Sequence, residues 1–81
     1  MSLHLIPGGS AVIDCTTKVV ERVNLSNVQQ GEAFAKDLSL KRPGHSIGWY
    51  RQQAQRFHEY MGSYVDGEFA PVFSVPQEGA P

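Results

Sequence analysis

Nucleophilic chemistry in this chain would have to use its single cysteine, Cys15, or a serine, together with one of the histidines His4, His45 or His58. A nucleophile needs a base within hydrogen-bond reach and a third group to orient that base. No local spacing pairs Cys15 with a histidine. Cys15 also falls on one side of an alternating strand pattern, where a thiol packs as a small hydrophobe. A metal centre would need several His, Cys or carboxylate ligands at short, repeated spacing. His58-Glu59 is one adjacent pair, and adjacent helix residues do not face each other. Pro7-Gly8-Gly9-Ser10 has neither the length nor the lysine of a phosphate-binding loop. The expectation is a non-enzymatic protein without metal or cofactor.

Recognition chemistry is better represented. Trp49, Gln53, Arg56 and Tyr60 are spaced four, three and four, which on a helix makes one line of side chains. Trp, Tyr and Arg are the residues most enriched at interface hot spots, because each joins a large contact area to directional hydrogen bonds. Arginine and glutamine within the line favour exposure, since a buried arginine needs a charge partner. The competing reading places Trp49 and Tyr60 in the core, where so small a protein needs its largest side chains. Between Lys41 and His58 the charges are Lys41, Arg42, Arg51 and Arg56, with no acid. Arg51, Lys41 and Arg42 would therefore steer an acidic partner towards the line.

The element expected to carry these residues is a helix over 46–63. Ile47, Tyr50, Ala54, Phe57, Met61 and Tyr64 alternate spacings of three and four, an apolar stripe at helical period. Ser46 would supply the N-cap oxygen, and Gly62 weakens the far end. A second helical stripe, Val28, Gly31, Ala35 and Leu38 with Phe34 beside it, predicts a helix over 27–39. Ser26 and Gln29 have capping-box spacing at its start. Gly31 costs this helix roughly 1 kcal/mol against alanine, unless it lets another part of the chain come close.

Upstream the period is two. Ala11, Ile13, Cys15, Thr17, Val19, Val23 and Leu25 share one face, read as inward, with Val12 and Val20 as exceptions on the other. Thr and Val enrichment supports strand, and the run is long enough to require a bend near Asp14 to Thr17. Leu3 to Ile6 before Pro7-Gly8-Gly9-Ser10 reads as the first arm of a hairpin with a four-residue loop. Asp66-Gly67 is a turn signal, and Phe69 to Val75 reads as an edge strand, because Pro71 has no amide. The fold class expected is α+β: a small antiparallel sheet, made of the N-terminal hairpin with its long strand and a C-terminal edge strand. Two antiparallel helices would pack on one face of it. Residues 1–75 form the expected domain, and the tail 76–81, PQEGAP, is polar and frayed.

Composition sets the outer bounds. With 81 residues, 41% hydrophobic and 19% charged, the chain reads as one soluble globular domain near the lower limit of independent stability. A homodimer that buries more surface is a natural complement to so small a core. The net charge of −1 argues against a dedicated nucleic-acid module. One cysteine forms no intramolecular disulfide, and no apolar run approaches the ~20 residues of a membrane span, so a cytoplasmic location is expected.

Two resemblances bear on this reading. Trp49-Tyr50-Arg51-Gln52-Gln53 is similar to the WYRQ run in the third strand of immunoglobulin-type variable domains. The likeness ends there, because Cys15 lies too far upstream, a second cysteine is missing and the surrounding period is helical. Over the last half of the chain, Lys41-Arg42-Pro43, Trp49-Tyr50-Arg51 and Val65-Asp66-Gly67-Glu68 with Val72-Phe73 resemble small phage excisionases, which are winged-helix DNA-binding proteins. That resemblance implies a basic helix over 46–63 in the major groove, with Arg51, Gln52, Gln55 and Arg56 on bases and phosphates. The leading expectation is a small binding or regulatory protein of bacterial or phage accessory type. It would act by occupying a surface of a larger protein or nucleoprotein, for instance as an inhibitor of host machinery.

Overall fold

The computed structural model describes residues 5–53 and 57–71, the latter without the side chains of Phe57, His58 and Pro71. The elements run β1 (Ser10–Asp14), β2 (Val19–Leu25), α1 (Val28–Lys41), β3 (Ile47–Gln53), β4 (Phe57–Val65) and β5 (Glu68–Pro71). The strands form one antiparallel sheet in the order β2-β1-β3-β4-β5. The α+β class stands. The two-helix layout does not, since α1 is the one helix among the described residues.

The segment expected as a helix over 46–63 is the β3–β4 hairpin instead. Its register runs from Ile47 opposite Tyr64 to Gln53 opposite Phe57, with an irregularity that leaves Met61 unmatched between Trp49↔Gly62 and Tyr50↔Tyr60. The physical reason lies in composition. Five aromatic residues, Gly48 and Gly62 fall within it, and aromatics favour a pleated surface while glycine weakens a helix. Trp49 to Gln53 is thus a strand, although within a single helix-backed sheet rather than a sandwich.

β1 also differs from expectation. Residues 5 and 6 form no strand, and β1 is instead sandwiched between β2 and β3. The bend expected near Asp14 to Thr17 is a full reversal. The Asp14 carboxylate accepts the amides of Thr16 and Thr17, both at 3.0 Å, and Lys18 takes a left-handed φ of 64° while its amide donates to the Asp14 carbonyl. At the other hairpin, Asp66 and Gly67 have φ of 52° and 81°, the left-handed pair that a tight β4–β5 turn requires. β5 lies at the sheet edge beside β4. Residues Val72 to Val75 and the tail 76–81 lie outside the described residues.

α1 starts one residue later than the capping-box spacing suggests. Asn27 is the N-cap, its side chain accepting from Gln30 N at 2.9 Å, while Gln30 reaches back to Ser26 N. The helix lies on one face of the sheet and comes close to it at Gly31, where a Cβ would collide with the Ser10 hydroxyl and come within 2.8 Å of Ser10 Cβ. The core between them is Val12, Ala35, Ile47, Trp49 and Tyr64, with Leu25, Val28, Phe34, Leu38 and Met61 packed around it. Val12 and Ile47 therefore point to the helix. Ala11, Ile13 and Cys15, read from sequence as the inward set, point to the opposite face. No helix among the described residues is long and apolar enough to cross a membrane.

Candidate functional site

Strand alternation puts two sets of side chains on opposite faces. On the helix-free face β1 contributes Ile13, the following turn Cys15, β2 Val20, β3 Tyr50 and β4 Tyr60, aligned by the pairs Ile13↔Val20, Ile13↔Gly48 and Tyr50↔Tyr60. The Tyr50 and Tyr60 rings lie 5.1 Å apart at a tilt of 47°, within the favourable range for an aromatic pair. Gly48 forms the floor beneath them. A Cβ there would meet Tyr60 Cε1 at 3.1 Å and Cys15 Sγ at 3.2 Å. Tyr60 is 38% exposed and Val20 57%, so this surface is solid underneath and open above. Cys15 Sγ is 3.9 Å from the Tyr50 hydroxyl. Burial pushes the Tyr50 phenol up to about 12, and the neighbouring Cys15 and Tyr60 add to the rise. Tyr50 therefore stays a neutral hydroxyl at physiological pH.

One end of this face is sealed. Gln52 points the same way as Tyr50 and is fully buried. Its Oε1 accepts Asn24 N at 2.8 Å, and its Nε2 donates to Ile6 O and to Asn24 Oδ1, both at 2.9 Å. Residues 6–9 thereby strap across β2 and β3, and Gln52 N and O also bond to Gly9 O and Gly8 N.

The densest polar cluster lies at the other end of the sheet, around Asp14. This carboxylate is fully buried and takes Arg42 Nη1 at 3.1 Å and His45 Nδ1 at 2.8 Å besides the two turn amides. Arg42 also pairs with Glu21. Burial alone would raise the Asp14 carboxyl, but hydrogen bonds from His45, the Thr17 amide and Arg42 outweigh it and hold the group well below the usual carboxylate range. The bonds to Glu21 and then Asp14 raise Arg42 further above its ordinary value. An Asp–His pair can orient a general base. In this cluster, however, both carboxylates and the guanidinium are spent on one another and on turn amides, so it ties β1, β2 and the α1–β3 loop together. Gly44 N to Asp66 Oδ1 and Ser46 N to Thr16 Oγ1 complete the same junction. Among the described residues no group of three His, Cys, Asp or Glu could hold a metal ion.

The line expected from Trp49, Gln53, Arg56 and Tyr60 divides. Trp49 is 4% exposed and packs against Tyr64 and Phe69 at ring distances of 5.5 and 5.9 Å. It is a core residue. Gln53 shares its strand side but is exposed, donating to Glu59 Oε1 at 3.0 Å. Tyr60 lies on the opposite side with Tyr50, and Arg56 lies outside the described residues. The expected steering cations are each matched within the chain: Arg51 with Glu59 at 3.8 Å, Lys41 with Asp37 at 3.2 Å, and Arg42 with Glu21 and Asp14. Sequence reading missed Ile13 and Tyr50 as surface, and put Val20 on the outward face without joining it to them. Val20 as an apolar exception on a polar strand face was the signal that could have found them.

A comparison with known protein families, with curated proteins and with solved structures finds no match to this chain.

Proposed function

We propose that this is a small non-enzymatic binding protein that occupies a surface of a larger protein partner through the helix-free face of its sheet, as an inhibitor or regulator would. The observation that carries the reading is a rigid, partly exposed patch of Ile13, Val20, Tyr50 and Tyr60 on the face that the helix does not use. Tyrosine pairs on a fixed scaffold lose little conformational entropy on binding, and hydroxyls at their tips suit an amphipathic partner. The patch carries no charged side chain among these residues, and Arg51, which strand alternation places on the opposite face, pairs with Glu59. Contact with the partner is therefore apolar and hydroxyl-mediated, and its affinity should change little with ionic strength. The groove-reading alternative loses its recognition helix, since 47–53 and 57–65 are strands.

The test is affinity capture from the native host, followed by calorimetry with the identified partner. Tyr60→Ala and Val20→Glu should each keep the circular dichroism spectrum and weaken binding at least tenfold, while Lys36→Ala on the exposed side of α1 should not. Full binding by both patch variants, with the fold intact, would show that the partner uses another surface. A steep fall in affinity between low and high salt would also refute the uncharged contact.

A further inference from the structure

We draw no further inference here: the strongest candidate, the outer edge of strand β2 with half-exposed Val19 and Val20, is an unpartnered apolar edge, and nothing in the structure shows what covers it.

Discussion

Substituting Gln52 by glutamate changes one atom and should convert a neutral knot into a pH-dependent fault. The amide is oriented by its partners: Asn24 N supplies the donor that Oε1 accepts, whereas Nε2 faces two acceptors, Ile6 O and Asn24 Oδ1. Those acceptors are themselves fixed, since Ile6 O also takes Gly9 N and Asn24 Oδ1 takes Ile6 N. A carboxylate would keep the first bond and point an oxygen at both acceptors in a fully buried position. Burial and acceptor contact both disfavour the charged form, and shifts of about 3 units are documented for such sites. At ~1.4 kcal/mol per unit this amounts to about 4 kcal/mol at neutral pH. An 81-residue domain has roughly 4 to 12 kcal/mol in total. The folded-state pKa is raised above the unfolded value near 4.3, so the penalty is absent below about pH 4 and grows as pH rises towards the folded value. Urea unfolding of wild type and Gln52→Glu at pH 4, 5.5 and 7 measures it, each variant difference being taken at one pH. Gln52→Leu, which loses the same bonds without introducing charge, should show a pH-independent cost. A Gln52→Glu deficit below about 1 kcal/mol at pH 7, or one that does not vary with pH, would refute a sealed knot in which water has no part.

Three further outcomes follow from the packing. Gly31→Ala adds about 1 kcal/mol of helix propensity but drives a methyl into Ser10, whose hydroxyl is engaged with Asn27 O at 2.8 Å. The expected net result is destabilisation by about 1 to 3 kcal/mol, and a raised melting temperature would contradict it. Asp14 contributes stability above its ordinary pKa of 3.8, and the depressed folded value means this is lost as pH falls below about 4. Acid titration of the fold by circular dichroism should therefore be shallower for Asp14→Asn than for wild type, although the variant is less stable at pH 7. Trp49 Nε1 is buried with no hydrogen-bond partner among the described residues. Trp49→Phe, which removes an unsatisfied donor along with some volume, should stay within about 1 kcal/mol of wild type, against about 3 to 5 kcal/mol for Trp49→Ala. A large loss in the phenylalanine variant would mean the indole N–H is satisfied.

The misread hairpin shows where the sequence is ambiguous. Ile47, Tyr50, Met61 and Tyr64 recur at helical spacing, yet in the sheet Ile47 and Tyr64 face α1, Tyr50 faces away and Met61 sits at the irregularity. Two strands joined within 54–56 and offset by an unmatched residue can mimic a period between three and four. Trp49 next to Tyr50 was the counter-signal: consecutive large aromatics fit the two faces of a strand better than one helix stripe. The shorter helix was legible, because Val28, Ala35 and Leu38 do line its buried side. Gly31 within it marks close approach, as its cost in a helix suggests. Polar anchors were not legible. Neither Asp14 nor Gln52 reads as buried, and beyond the Thr16 and Thr17 amides that Asp14 takes locally, their side-chain partners lie 28 to 46 positions away. Burial of a carboxylate depends on which loops meet it, and no local pattern encodes that meeting. The face that carries Tyr60 likewise emerges only once strand order is known.

The interior place of β1, between β2 and β3, also fixes when this protein can fold during synthesis. Its second neighbour, β3, is made only after β2 and all of α1, and the strap at Ile6 waits for Gln52, 46 positions later. At about 5 to 20 residues per second, the early hairpin therefore spends roughly 1 to 5 s with one long side of β1 bare. Pairings this distant also place folding itself in the slower, millisecond-to-second range. For that interval Val12, buried in the finished sheet, is open to any passing strand. The nascent chain's exposure to chaperones and to its own neighbours on a polysome is thus set by topology, through the order in which the ribosome delivers the strands.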